Sequence, residues 1–296
     1  MAGGSLSKII IAKNAGFCFG VKRAIRMAFE TSKDKDAGNI YTLGPIIHNP
    51  QIVDKLNEDG VSMLQSLEDV ECGTLIIRSH GVTRQEKKEI SEKELTVVDA
   101  TCPFVKKAQN IATRLAKEGY TILIVGDMDH PEVKSIMSYL EGLTEVITES
   151  ERIVDAKKRG KAGIIAQTTQ TRENLFEWVR LALDIFQEVR VFNTICSATT
   201  VRQEETVEIA KVVDAMLIIG GYNSANTGRL AKLAGKYNGK VFHVEKAEEV
   251  KDEQMKGVEV LGISAGASTP DWAIERLVEH IVVKWGGGDV EMVSGT

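Results

Sequence analysis

One local design occurs three times, and it restricts the fold more than any other feature of the chain. An apolar, β-branched run ends, a cysteine follows within a few residues, and a helical pattern starts at once. The copies are Ile9-Ile10-Ile11 leading to Phe17-Cys18-Phe19, then Val97-Val98-Asp99-Ala100-Thr101-Cys102-Pro103, then Val189-Arg190-Val191-Phe192-Asn193-Thr194-Ile195-Cys196-Ser197. Proline is favoured at the first helical position, so Pro103 makes Cys102 the cap of a helix N-terminus. The positive end of a helix dipole favours the thiolate, the form of cysteine that binds metals.

Two more strand ends follow each cysteine at matching distances. His48 lies 30 residues after Cys18, His130 lies 28 after Cys102, and Asn226 lies 30 after Cys196. A third set, His80, Thr168 and Ser268, lies 62, 66 and 72 residues after the same cysteines. A step of about 30 residues is one βαβ crossover. The pattern therefore predicts an α/β fold of three pseudo-threefold-related units, each a small, mainly parallel sheet flanked by helices, around a central cleft. The first unit is placed at 14–101 and the second at 102–195. The third is placed at 196–283 together with an N-terminal strand at 7–13, and 284–296 reads as a flexible tail. Ligands of parallel sheets sit outside the carboxyl ends of the strands, where all nine clusters fall. Thr83 followed by Glu86 is a capping box at the start of one of the helices.

Composition narrows the partners. Net charge is −5 and the isoelectric point is near 5.7, with no basic stripe in the sequence, which argues against nucleic acid. No apolar run is long enough to span a bilayer. Met1-Ala2-Gly3-Gly4-Ser5 lacks the layout of a signal peptide, which points to the cytoplasm. Four cysteines in 296 residues do not make a disulfide scaffold, so reduced thiols serving a metal are expected.

The cysteine trio lacks the close CxxC pairs of a structural zinc site. Cys18, Cys102 and Cys196 are 84 and 94 residues apart and suit a cluster held where domains meet. Three ligands to a four-iron cubane leave one iron open to substrate. The plainer alternative is three buried apolar thiols. Cys72 has no counterpart in the other units and reads as a core or near-surface thiol. His48, His80 and His130 stand at strand ends beside helix starts, which suits phosphate binding or metal ligation; His243 and His280 do not and read as structural. Ser224, Asn226 and Ser268 offer neutral donors at the corresponding places of the third unit. Glu132, in the first turn after His130-Pro131, is either a charge favourable to the helix dipole or a proton donor, with Thr168 orienting it or a substrate hydroxyl. Gly262-Ile263-Ser264-Ala265-Gly266 matches the nucleophile-elbow pattern, but only 32 residues follow Ser264, too few for the partners a serine hydrolase needs. Thr269-Pro270 is expected to cap the last helix.

Several of these stretches together resemble a known family. They are Ala15-Gly16-Phe17-Cys18-Phe19-Gly20-Val21, Thr42-Leu43-Gly44-Pro45-Ile46-Ile47-His48-Asn49-Pro50, Arg78-Ser79-His80-Gly81, Asp99-Ala100-Thr101-Cys102-Pro103, His130-Pro131-Glu132-Val133, Ala166-Gln167-Thr168-Thr169-Gln170, Asn193-Thr194-Ile195-Cys196 and Ser264-Ala265-Gly266-Ala267-Ser268-Thr269-Pro270. In order, from about residue 8 to about 283, they resemble the 4-hydroxy-3-methylbut-2-enyl diphosphate reductases, the IspH/LytB family. The resemblance implies a two-electron reductive dehydroxylation that yields isopentenyl and dimethylallyl diphosphates, the last step of the non-mevalonate isoprenoid pathway. It implies one oxygen-sensitive [4Fe–4S] cluster on Cys18, Cys102 and Cys196, with one open iron. Glu132 would deliver protons, with Thr168 in the relay. His48, His80, His130, Thr168, Ser224, Asn226 and Ser268 would hold the diphosphate, and a ferredoxin or flavodoxin would supply electrons. Many relatives carry a second serine where this chain has Ala225, which leaves only the backbone of that position for binding. Competing readings are a metal-dependent phosphoesterase built on His48, His80, His130 and Glu132, and a non-catalytic phosphate-binding module.

Overall fold

A computed structural model describes residues 6–68, 70–154, 159–286 and 288–293. The elements run β1 (Lys8–Ala12), α1 (Phe19–Ser32), β2 (Ile40–Leu43), α2 (Pro50–Glu58), β3 (Val61–Leu64), β4 (Cys72–Ile77), α3 (Arg84–Ser91) and β5 (Glu94–Asp99). They continue as α4 (Pro103–Lys117), β6 (Thr121–Val125), α5 (Pro131–Ser138), β7 (Val146–Ile147), α6 (Glu151–Val154), β8 (Arg159–Ala166), α7 (Arg172–Ile185) and β9 (Phe186–Phe192). The last part holds α8 (Ser197–Ala210), β10 (Ala215–Ile219), α9 (Ala225–Ala234), β11 (Val241–Val244), α10 (Asp252–Met255), β12 (Val260–Ala265), α11 (Asp271–Trp285) and β13 (Asp289–Val293).

Contacts divide the chain into two compact units. One comprises 1–21, 48–50 and 197–296, and the other 22–47 and 51–196. The second contains two sheets, ordered β3-β2-β4-β5 and β7-β6-β8-β9. The first contains one sheet, ordered β11-β10-β12-β1-β13. The same strand order thus recurs three times, and every pairing is parallel. In each case the strand that completes the pattern, β5, β9 or β1, runs directly into a cysteine-bearing loop and then a helix.

The unbroken apolar runs follow from burial on both faces. In β1, Ile9 and Ile11 join one core cluster with Leu217, Ile219, Leu261 and Ile263, while Ile10 and Ala12 join another with Met216 and Ile218. In β6, Leu123 and Val125 pack on one side of the sheet, and Ile122 and Ile124 on the other. Helix α4 buries Val105, Ala108, Ala112 and Leu115, the stripe its spacing predicts. The Thr83 capping box forms, with Glu86 N–H donating to Thr83 Oγ1 at 3.1 Å. Among the described residues no helix is long and apolar enough to cross a membrane.

Two expectations need correction. The tail placed at 284–296 contains β13, which pairs in parallel with β1 from Lys8↔Asp289 to Ala12↔Val293. Its alternating, mostly exposed residues suit an edge strand, a weak signal beside the continuous core runs. Thr269 does not cap α11; its hydroxyl donates to the Ile219 carbonyl at 3.0 Å, and α11 starts after Pro270 without a side-chain cap. The short edge strands β3, β7 and β11 are likewise absent from the sequence reading, because two to four residues carry too little periodicity to stand out.

Candidate active site

In the larger unit the Cys102 loop is fixed by its backbone. Cys102 N–H donates to the Ser79 carbonyl at 2.9 Å, which ties the loop to the one carrying His80. Asp99 accepts from Thr101 N–H at 2.9 Å and from Lys106 Nζ at 2.6 Å. Burial alone would push the Asp99 carboxyl up, but the hydrogen bonds from Lys106 and Thr101 outweigh it and hold the group below its usual range. The Arg23 guanidinium donates to the carbonyls of Thr101 and Asp99, both at 3.3 Å. Cys102 is the N-cap of α4, and its side chain makes no capping bond.

The His80 loop is held just as closely. Gly81 has φ of +78°, and a Cβ there would meet Thr101 Cγ2 at 3.2 Å and Gln109 Nε2 at 3.3 Å. Only glycine combines that backbone with that approach. Ser135, on α5, donates to the Val82 carbonyl at 2.7 Å and accepts from Gln109 Nε2 at 2.8 Å. These bonds bring α5 against the loop, and the His80 and His130 rings meet edge to face with centroids 5.3 Å apart.

His130 is the N-cap of α5, with Nδ1 accepting from Glu132 N–H at 3.2 Å and Pro131 at the first helical position. This places Glu132 in the first turn, only 1% exposed. Its two carboxylate oxygens accept from the Thr168 amide and the Thr168 hydroxyl, each at 2.7 Å. The Thr168 carbonyl in turn accepts from Cys196 N–H at 2.9 Å. Thr194 anchors the approach to Cys196, its hydroxyl bonded to Ala166 N at 2.8 Å and Ala166 O at 2.5 Å. One continuous chain of contacts therefore links Cys102, His80, His130, Glu132, Thr168 and Cys196 within this unit.

The smaller unit gathers Cys18, His48, Ser224, Ala225, Asn226 and Ser268. Cys18 N–H donates to the Ala267 carbonyl at 3.2 Å. Ser268 Oγ lies 3.1 Å from the His48 carbonyl and 3.4 Å from Ser224 Oγ, and Asn49 Nδ2 donates to the Ser268 carbonyl at 3.0 Å. Ser224 is the N-cap of α9, accepting from Thr227 N–H at 3.3 Å, so Ala225 and Asn226 form the first turn of that helix. The Asn226 side chain is buried, and neither its oxygen nor its nitrogen has a hydrogen-bond partner among the described residues. An unpaired buried amide costs about 1–3 kcal/mol, and a ligand at the helix N-terminus would remove that cost.

The four cysteines are all thiols, none in a disulfide. Cys18, Cys102 and Cys196 are half-buried on loops whose backbone bonds are already made, whereas Cys72 is exposed at the start of β4. Cysteine sulfur is the donor type that an iron–sulfur cluster takes. Ser264 is fully buried within β12, its hydroxyl 2.8 Å from Thr206 Oγ1, so it is no nucleophile. His243 Nε2 pairs with the Gly220 carbonyl at 2.8 Å.

Sequence reading missed the residues that hold the Cys18 loop. Glu205 accepts from the Asn14 amide and side chain at 2.9 and 2.6 Å, and Arg202 donates to the Gly16 carbonyl at 2.8 Å. Both charged residues are 2% exposed on α8. The available signal was a helix without a continuous apolar stripe, whose buried residues are Thr199, Arg202, Gln203, Glu205 and Thr206 before Ile209 and Ala210 at its end.

With this geometry in hand, comparison places the chain among known proteins. The family model for LytB protein matches residues 9–282. The chain is 51% identical over 274 residues to the 4-hydroxy-3-methylbut-2-enyl diphosphate reductase of Geotalea uraniireducens, covering 93% of this chain and 96% of that one. The Geobacter sulfurreducens protein of the same name is 50% identical with the same coverage. A solved structure of (E)-4-hydroxy-3-methyl-but-2-enyl diphosphate reductase, described as the terminal enzyme of the non-mevalonate pathway, matches with a TM-score of 0.70 at 46% identity, over 93% of this chain and 99% of its own. A solved structure of the E-1-hydroxy-2-methyl-but-2-enyl-4-diphosphate reductase from Plasmodium falciparum has the same fold, with a TM-score of 0.89 at 24% identity over 99% of this chain and 93% of its own. A match of this length and identity leaves one conclusion: the chain belongs to the LytB family.

Proposed function

We propose that this chain removes the hydroxyl of (E)-4-hydroxy-3-methylbut-2-enyl diphosphate, giving isopentenyl and dimethylallyl diphosphates. Two electrons and two protons enter per turnover, and one water leaves. The observation that carries this reading is Glu132. A carboxyl group buried to this degree, gripped on both oxygens by Thr168, is fixed in one place and does not balance surface charge, which suits it to proton transfer at a set position.

The roles follow from the chemistry of the donors. Cys18, Cys102 and Cys196 hold a [4Fe–4S] cluster. When bound, that cluster supplies electrons and a Lewis-acidic iron with one open position. Glu132 delivers the protons that let the hydroxyl leave as water, and the Thr168 hydroxyl passes or orients them. His48, His80 and His130, the hydroxyls of Thr168, Ser224 and Ser268, the Asn226 amide and the backbone at Ala225 grip the diphosphate. The starts of α5 and α9 add N–H donors suited to an anion. Diphosphate binding, remote from the reacting carbon, orients the allylic alcohol. A ferredoxin or flavodoxin supplies the electrons one at a time, and the cytoplasm keeps the thiols reduced.

Purification without oxygen tests the reading. Brown protein with about four irons and four sulfides per chain, turning over the allylic diphosphate with reduced methyl viologen, is the expected result. Colourless protein holding stoichiometric zinc and hydrolysing phosphate esters would overturn it.

A further inference from the structure

Helix α4 follows its N-cap Cys102 and carries Lys106, Lys107, Arg114 and Lys117, with no aspartate or glutamate from Pro103 to Lys117. In a chain of net charge −5 this is a local reversal of sign. Arg23 of α1 crosses the start of the helix through its bonds to the Asp99 and Thr101 carbonyls. Arg23, Lys106, Lys107 and Arg114 line a groove of about 470 Å³, together with Thr101 and Pro103, the residues on either side of Cys102. Among the described residues no acidic side chain lines it. Lys106 is paired with Asp99, and Arg114 reaches Glu118 at 3.9 Å. Arg23 and Lys107 have no carboxylate partner among the described residues, and the Phe104 ring beside the groove is 36% exposed. No basic run in the sequence announces this patch, because Arg23 joins it only in the fold.

The geometry also limits what the groove accepts. Lys107 and Arg114 are two helical turns apart, roughly 10 Å along the axis, too far for one phosphate to bridge. Lys107 and Arg114 are exposed and Arg23 and Lys106 half-buried, so the cations are spread along the groove rather than gathered around a point. That layout suits a broad, weak, electrostatically steered contact with an acidic protein face.

We propose that this groove is the docking face for a small acidic one-electron carrier protein, seated beside the Cys102 loop. The proposal rests on the reductive reading above. In each visit the carrier loses one electron and the reductase gains one; two visits provide the pair that one turnover consumes.

The test uses the intact holoenzyme, an acidic flavodoxin as probe, and Lys107→Glu with Lys107→Arg as its charge-preserving control. Lys107 is exposed and makes no ion pair among the described residues, so its replacement leaves the fold alone. Lys107→Glu is expected to weaken flavodoxin binding about 5- to 10-fold at low salt, to flatten its salt dependence, and to cut the flavodoxin-driven rate in proportion. The viologen-driven rate should stay at the wild-type value, and Lys107→Arg should match wild type throughout. Unchanged flavodoxin binding overturns the proposal, as does a viologen-driven rate that falls in step. Salt-sensitive flavodoxin binding through Lys107 in a protein inactive with viologen would sink the reductase reading and leave the docking face standing.

Discussion

Glu132 and Asn226 occupy equivalent positions, each in the first turn of a helix that follows a central strand, yet their surroundings are opposite. Both carboxylate oxygens of Glu132 are claimed by Thr168, and Thr168 is tied on through its carbonyl to Cys196. The Asn226 amide is as deeply buried and has no partner among the described residues. A group whose bonds are made inside the protein is positioned before the ligand arrives. A group left unsatisfied destabilises the protein until a ligand supplies its bonds. The first arrangement suits proton delivery, which needs fixed geometry, and the second suits recognition.

The largest effects should come from the strand-end cysteines. Cys102→Ser is expected to lose iron, the brown absorbance and all measurable turnover, while Cys72→Ser, at an exposed position, keeps all three. Iron analysis and a visible spectrum decide this. Retention of a full cluster in Cys102→Ser would remove that thiol from the ligand set.

Glu132→Gln keeps the size of the side chain and removes the transferable proton. Turnover should fall about 10²- to 10⁴-fold, with substrate affinity and cluster content retained. Thr168→Val removes the hydroxyl bond to Glu132 and should destabilise the fold by about 1–2 kcal/mol, because a buried carboxylate oxygen loses that donor. If Glu132→Gln turns over at the wild-type rate, the carboxyl group has no proton role.

Asn226→Leu should move stability the other way. Replacing an unpaired buried amide with an apolar side chain of similar volume is expected to leave thermal stability equal or raise it by about 1 kcal/mol. Substrate affinity should weaken about tenfold, which is about 1.4 kcal/mol. Chemical denaturation and equilibrium binding of the diphosphate measure the two. Loss of stability in Asn226→Leu would show that the amide is satisfied in the free protein, and the contrast with Glu132 would collapse.

Much of this was legible in the residues, for physical reasons. Strands buried on both faces write themselves as continuous runs such as Ile122-Leu123-Ile124-Val125, and the spacing of about 30 residues marks each crossover. The strand-end clusters are legible because parallel strands all present their carboxyl ends to one side. Edge strands stay hidden: β13 exposes most of its residues and pairs on one side only. Long-range polar ties stay hidden as well. Nothing local in the sequence couples Asn14 to Glu205, 191 positions away, or shows that Asn226 lacks a partner among the described residues while Thr168 bonds both oxygens of Glu132.

Tyr222 offers the smallest and most specific test, since it lies on the same loop as Ser224 but faces outward. Its hydroxyl donates to Glu249 at 2.5 Å, its N–H donates to Glu245 at 3.1 Å, and its ring lies 4.8 Å from that of His243. The hydrogen bond to Glu249, with burial and the neighbouring negative charges, pushes the phenol up to about 12. A folded-state value above the unfolded one of roughly 10 means that the contribution is complete below that pH and is lost as pH rises towards 12. Tyr222 is 57% exposed, so solvent screening keeps the contribution below about 1 kcal/mol. Tyr222→Phe should therefore cost little at neutral pH, leave diphosphate affinity within about twofold, and remove the part of the alkaline stability loss that falls between about 10 and 12. Paired denaturation curves across that range isolate it as a difference. A large loss of diphosphate affinity in Tyr222→Phe would mean that the outer tether also sets the inner amide, and Asn226 could no longer be treated as an independent recognition group.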